Sequence, residues 1–251
     1  IAEKMIADNT KKFEGRADVY EAARPAYAEP LFDLLCGCYG FEGKKIADVG
    51  AGTGKFTRSL LQRGCEVYAV EPDIDMRRAA EERLAGQSGF HSVCGTDANT
   101  MLPAASVYAV TVAQAFHWFD AAAFRAECRR ILYGKTVAIV YNSRTESALH
   151  EAVAAVNRTC CPGFSGFSGG ITEQRISDFF GEKFEQYHFL NDVILDEEMF
   201  IKRNLSSSYA PRRGDAQFAE YVFALRKIFD VYARNGRLLF PMETRAYIGE
   251  P

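Results

Sequence analysis

Short apolar runs alternate with amphipathic stretches through the first 142 residues of the chain. Residues 44–50 (K-K-I-A-D-V-G) form an apolar run closed by glycine and predict a buried strand. Helical sequence follows over Lys55–Gln62. Residues 66–71 (E-V-Y-A-V-E) are β-branched, stop at Pro72 and predict a second strand. Asp73 is placed to cap a helix that runs through Arg83 and Leu84 and stops near Gly86. Residues 90–94 predict a third strand and Val107–Ala113 the clearest, a fourth. Asp120 is the N-cap of a helix over 121–132, with Gly134 beyond its end. Residues 136–141 (T-V-A-I-V-Y) make a fifth strand. Five strands separated by helices predict an α/β fold, a mostly parallel sheet with helices on both faces.

The second half reads differently. Residues 143–180 begin helical and become loop-like, and the stretch 162–170 (P-G-F-S-G-F-S-G-G) reads as a surface loop or as a lid. Residues 184–195 are strand-like. Residues 215–234 place Phe218, Tyr221, Val222, Leu225, Ile228, Phe229 and Tyr232 along one side of a helix. Residues 237–249 predict a final strand. The chain divides as one domain: an N-terminal cap at 1–43, a core at 44–142, an inserted helix and lid region at 143–183, and a C-terminal part at 184–251 that completes the sheet.

Composition narrows the function classes. With 251 residues, 48% hydrophobic and 25% charged, the chain can bury a full core, which excludes wholesale disorder. The 30 Lys and Arg against 33 Asp and Glu leave a net charge of −3, which argues against a nucleic-acid partner. The longest apolar run, around 107–119, is broken by Thr111, Gln114 and His117 and falls short of the roughly 18 residues a membrane span needs. The polar first thirteen residues do not resemble a secretory signal. Seven cysteines, an odd count without a C-x-x-C pair, fit a reducing, cytoplasmic setting, and four histidines without ligand spacing predict no metal site.

The strongest chemical signal is the turn Asp48-Val49-Gly50-Ala51-Gly52-Thr53-Gly54, which closes the first strand and opens a helix. Alternate glycines let the backbone turn sharply and approach a ligand at the carboxyl edge of the sheet. The dinucleotide fingerprint G-x-G-x-x-G fails, because position 55 is Lys55. The phosphate loop fails at Val49 and Phe56. Glu71 ends the second strand, where a carboxylate can accept from both hydroxyls of a ribose.

The spacing D-x-G-x-G-x-G resembles motif I of the class I S-adenosylmethionine-dependent methyltransferases. Three further features extend the resemblance over nearly the whole chain: the run Ala113-Gln114-Ala115-Phe116-His117-Trp118-Phe119-Asp120, the upstream Tyr20, Arg24, Pro25 and Tyr27, and the late segments 205–209 and 244–247. These are similar to a small-molecule group that includes trans-aconitate-type and ubiquinone-biosynthesis-type enzymes. The resemblance implies a Rossmann-like, doubly wound, seven-stranded sheet with an antiparallel edge and a helical cap. It also implies S-adenosyl-L-methionine as cofactor, S-adenosyl-L-homocysteine as product and a small-molecule methyl acceptor.

In the implied cofactor site, Asp48, Gly50, Ala51, Gly52 and Gly54 form the turn. Glu71, Pro72 and Met76 follow the second strand, and Asp97 and Ala98 follow the third, with Asp97 in place of an acid usually found one position later. Ala113, Gln114, Ala115 and Trp118 follow the fourth strand, and Tyr20 and Arg24 close over the cofactor's carboxylate. His117 is the candidate general base, with site-lining and packing beside Trp118 as its other readings. Phe116, Asn142, Tyr209 and Arg245 are the candidate acceptor contacts. An acidic acceptor, possible for this group, is favoured if Arg24, Arg144 or Arg245 points inward. The alternative function is a protein that binds the cofactor without methyl transfer, or uses a modified cofactor.

Overall fold

The structure is a computed structural model that describes residues 25–167, 171–181 and 183–251. Its first element is helix α1 (Glu29–Gly37), with Pro30 in its first turn and Leu31, Phe32 and Leu35 buried. The predicted alternation then follows: β1 (Lys45–Val49), α2 (Lys55–Gln62), β2 (Glu66–Val70), α3 (Ile74–Arg83), β3 (Phe90–Val93), β4 (Val107–Ala113), a single 3-10 turn at Phe116–Trp118, α4 (Ala121–Ile131) and β5 (Leu132–Arg144). Asp73 and Asp120 cap α3 and α4 as expected, each accepting from two backbone amides.

The second half contains α5 (Ala148–Cys160), α6 (Glu173–Phe180), β6 (Phe184–Leu190), β7 (Val193–Leu195), α7 (Glu197–Leu205), α8 (Phe218–Tyr232), β8 (Leu238–Phe240) and β9 (Met242–Gly249). Two expected strands are each divided. Residues 184–195 turn at Asn191 and Asp192 into β6 and β7, and residues 237–249 break at Pro241, which has no amide to offer a ladder. Helix α7 was not apparent in the periodicity.

Seven strands form one sheet in the order β3-β2-β1-β4-β5-β9-β6. Strands β1 to β5 pair in parallel, and β9 runs antiparallel to both β5 and β6. Pleat alternation divides the core. Val49, Val110, Val112, Ile139 and Tyr141 meet α4 and α6 on one face, where Phe124, Ile131 and Phe179 are buried. Ile46, Val67, Ala138 and Val140 meet α1 and α2 on the other.

A third cluster joins α5, α7, α8 and the two-stranded β7–β8 sheet through Val153, Phe200, Tyr221, Leu225 and Phe240. Its inner residue Met242 is the first of β9, and β5 ends beside it at Arg144. This cap thus meets the sheet at the carboxyl end of β5. Residues 184–251 therefore build cap as well as sheet.

Gly134 was expected beyond a helix but lies within β5. Its backbone presses on β4 where the β4–β5 register shifts between Val107 and Ala109, and a Cβ there would stand 2.0 Å from the Tyr108 carbonyl oxygen. Gly134→Ala is expected to destabilise the fold by about 1–3 kcal/mol through overpacking, a fall of roughly 3–10 °C in Tm for a chain of this size. Calorimetry checks this; an unchanged Tm would mean the two strands do not approach so closely.

Candidate functional site

The glycine turn after β1 is held from three sides. The Gly50 and Ala51 amides donate to the Val70 carbonyl of β2 at 2.9 and 3.2 Å. The Gly52 amide donates to Glu71 Oε2 at 2.8 Å. Arg83, at the end of α3, donates to the Thr53 carbonyl at 2.7 Å.

The three glycines all have positive φ, at 70°, 55° and 77°, yet each serves a different need. A Cβ on Gly50 would meet Ala115 Cβ at 2.6 Å, so this glycine admits the segment after β4. A Cβ on Gly54 would meet Leu84 at 2.8 Å, so this one admits the end of α3 against α2. A Cβ on Gly52 would meet nothing within 4 Å. Gly52 is where the turn faces open space.

Glu71 lies at that open side. It is 8% exposed, and its second oxygen accepts from the Asp73 amide at 3.0 Å. Burial raises its pKa, opposed by the two backbone amides and by Arg77. A carboxylate has about four acceptor positions, so two remain beyond these amides. Pro72 is exposed and accepts from Arg77, while Met76 is buried in the first turn of α3.

Asp48 is placed beneath the turn, with no exposure. Its oxygens accept from the Thr57 hydroxyl of α2 at 2.6 Å and the Thr111 hydroxyl of β4 at 2.9 Å. The expected contact with a cofactor is therefore corrected: Asp48 shapes the turn from inside. Asp97 accepts from the Asp120 amide at 3.0 Å and so joins the loop after β3 to the start of α4; Ala98 beside it is exposed. Burial raises the Asp97 pKa.

After β4, Ala113 and Ala115 are half-buried, and Gln114 has φ of 60°. Its side-chain amide donates to the Asn142 carbonyl at 3.0 Å, across the carboxyl ends of β4 and β5. Phe116 is fully buried, with edge contacts to Phe119 and Phe179, so it is core and not an acceptor contact. His117 and Trp118 are exposed, their ring centroids 4.6 Å apart. The buried Tyr141 hydroxyl lies 3.0 Å from the His117 amide and 3.2 Å from its Nδ1.

Arg175 of α6 holds this turn from behind. It donates to the carbonyls of Phe116 and Phe119 at 3.3 and 2.5 Å, with its guanidinium 5.2 Å from the Phe116 ring. Nothing in the sequence singled it out.

Asn142 is a fastening, not an open acceptor contact. Its amide donates to the carbonyls of Pro25 and Ala26, and its oxygen accepts from Thr244 at 2.6 Å and Asn191 at 3.2 Å. Thr244 in turn accepts from the Ala28 amide at 3.0 Å. The described start of the chain is thereby tied to β5 and β9. Arg245 is likewise corrected: it donates to Glu243 at 2.5 Å, and His188 meets the other oxygen of that carboxylate at 3.0 Å. Tyr209 lies in the cap, its ring 4.9 Å from Phe164. Tyr20 and Arg24 lie outside the described residues. Away from this edge, a surface depression of about 510 Å3 lined by Gly43, Gly64, Glu66, Gly89 and His91 sits at the amino ends of β1 to β3.

This strand order, with β9 alone reversed and a glycine turn leaving β1, defines a class I methyltransferase fold. Residues 47–140 match the family model described as a methyltransferase domain, and that segment is similar to this family. It is 36% identical over 143 residues to an uncharacterized methyltransferase of Mycobacterium tuberculosis, 55% of each chain, and so spans about half the length of that relative. A structure assigned as a type II methyltransferase from Anaeromyxobacter dehalogenans superposes with a TM-score of 0.67 at 23% identity, covering 90% of this chain and 97% of that one. Another, assigned as a methyltransferase of an antibiotic biosynthesis pathway in Anabaena variabilis, gives 0.57 at 20% identity over 88% and 98%. At these identities the structural likeness speaks for the fold.

Burial pushes the Asp48 pKa from 3.8 up to about 6, against the pull of the two threonines. Between about pH 4 and 6 the folded chain keeps a proton that the unfolded chain has released. Asp48 thus contributes stability that is full below about pH 4 and lost as the pH rises through about 6. Asp48→Asn should remove this dependence, its stability relative to wild type improving by up to about 3 kcal/mol from pH 4 to 7. Urea unfolding across that range measures it; a difference independent of pH would contradict the buried ionisation.

Proposed function

We propose that this chain transfers a methyl group from S-adenosylmethionine to a small organic acid. The observation that carries the cofactor reading is the Glu71 carboxylate beside the open face of Gly52, its remaining acceptor positions suited to two ribose hydroxyls. The residues fit the adenosyl group further. The turn has no side chain at its open point, and Gln114 and Asp97 approach the same sheet edge from the loops after β4 and β3.

Glu71 and the turn at Gly52 would hold the cofactor, which would supply a sulfonium-activated methyl for an acceptor lone pair, the carbon–sulfur electron pair returning to sulfur. The chain's own task is to hold the acceptor in line. Positioning of this kind can supply roughly 7–11 kcal/mol. Gln114 ties the carboxyl ends of β4 and β5 together through the Asn142 carbonyl, beside the β1–β4 crossover where the strand order reverses. A carboxylate acceptor is deprotonated at neutral pH and needs no base.

In this reading His117 is a positioning residue for the turn after β4. Burial holds Tyr141 protonated, above the usual phenol range. Its hydroxyl accepts from the His117 amide and lies within hydrogen-bond reach of Nδ1, which fixes the ring against the end of β5.

The acidic acceptor is supported by Arg144, the inward-pointing arginine at the end of β5. Its Nε is buried without a hydrogen-bond partner among the described residues, and its guanidinium lies 4.3 Å from the Phe167 ring.

Glu71→Gln is expected to weaken S-adenosylmethionine and S-adenosylhomocysteine binding roughly tenfold or more, since a buried amide then faces the donors a carboxylate satisfied. Thermal shift and calorimetric titration test this. At ~100 times its dissociation constant either compound should stabilise the wild type by roughly 2.7 kcal/mol. A shift with NAD in their place would overturn the cofactor reading, and binding without release of S-adenosylhomocysteine from any acid tested would overturn transfer.

A further inference from the structure

The cap encloses a basic cluster that the cofactor reading leaves unused. Arg144 closes β5, His150 lies in the first turn of α5, and Arg203 lies on α7. All three surround Phe240. Its ring centroid is 5.8 Å from the Arg144 guanidinium, 4.7 Å from that of Arg203 and 4.6 Å from the His150 ring. Phe167 lies against Arg144 and, at 6.3 Å, against His150. The walls are mostly apolar, the Tyr209 and Tyr221 phenols act on Arg144, and no carboxylate among the described residues does. A half-buried guanidinium whose Nε is shut off from solvent without a partner among the described residues is costly, and a counter-charge brought by a ligand would offset that cost.

His150 supplies the second requirement. It is 4% exposed, and Nδ1 lies 2.6 Å from the Thr145 carbonyl. A carbonyl only accepts, so Nδ1 carries the proton. Burial and the two arginines lower the His150 pKa and keep the ring neutral. Nε2 is then a lone-pair acceptor, buried without a hydrogen-bond partner among the described residues. The cluster thus offers a planar cationic fork and, close by, an acceptor awaiting a donor. An ammonium would be repelled by the arginines; a hydroxyl would not.

We propose that this cap cluster is the acceptor-recognition site and takes a small hydroxy acid, its carboxylate on Arg144 and its hydroxyl donating to Nε2 of His150. The inference rests on the methyl-transfer reading for the word acceptor, and on the cap geometry for the site.

Calorimetric titration of the full chain saturated with S-adenosylhomocysteine tests it. The probes are lactate, malate and mandelate, each paired with its deoxy counterpart propionate, succinate or phenylacetate. At least one hydroxy acid should bind, roughly tenfold or more tighter than its deoxy partner. Arg144→Met should weaken it roughly 30-fold or more, with Arg144→Lys between the two. His150→Phe should bring the hydroxy acid down to its deoxy partner while leaving the latter unchanged. S-adenosylhomocysteine affinity should stay the same in every variant. The wild-type comparison of paired acids stands even if a variant fails to fold. The site proposal is overturned if S-adenosylhomocysteine binds but none of the three hydroxy acids does, if paired acids bind alike, or if Arg144→Met binds as wild type. Failure of S-adenosylhomocysteine itself to bind the wild type overturns the cofactor reading instead.

Discussion

A carboxylate with no access to water sits next to the end of β1, and it has to find its hydrogen bonds inside the protein. Asp48 finds them in two hydroxyls, one on the helix that follows the turn and one on the neighbouring strand β4. Leaving a buried charge without such partners would be far more costly than the bonds themselves are favourable. The constraint therefore holds β1 against β4 and draws the first turn of α2 back onto the sheet. The glycine turn between them has little freedom left. Val70, Glu71 and Arg83 then fasten its backbone from the β2 side, and the open face of Gly52 is what remains.

The opposite half of the carboxyl edge is organised by neutral hydrogen bonds. Asn142, Thr244 and Asn191 bind one another and the backbone at Pro25, Ala26 and Ala28. This places the start of the described chain over β5 and β9. The cap adds a different environment: aromatic rings around two arginines and a histidine. In such surroundings each unmade hydrogen bond has high consequence, because water is not there to replace it. The proposed reaction is divided between a polar edge for the cofactor and an aromatic, cationic cap for the acceptor.

Elements with a local signature were legible in the sequence. The two aspartate caps, the five parallel strands and the amphipathic α8 follow from spacing within a single segment. The D-x-G-x-G-x-G turn was legible for the same reason, since its geometry is made by consecutive residues. Helix α7 was missed because its apolar positions, Phe200 among them, are few and face the cap and not the sheet. Gly134 misled because a glycine after a helical run has the same local appearance whether it caps the helix or relieves crowding between strands.

Side-chain direction was decided by tertiary contacts. Phe116 and His117 are neighbours in a motif, yet one is wholly buried and the other exposed, because the 3-10 turn rotates them onto different sides. Arg144 and Arg245 looked alike as inward candidates; Glu243 pairs with the second, two places away on the same face of β9, and leaves the first facing the cap. Nothing near His150 in sequence announces a buried acceptor, which exists only because the Thr145 carbonyl fixes its proton and Phe240 shuts out water. The sequence by itself determined the order of strands and helices through β5, the glycine turn and the acid after β2, all set by short-range periodicity and backbone geometry. Which polar groups are satisfied within the fold and which are left for a ligand was decided only by tertiary structure, because that depends on partners brought together from distant parts of the chain.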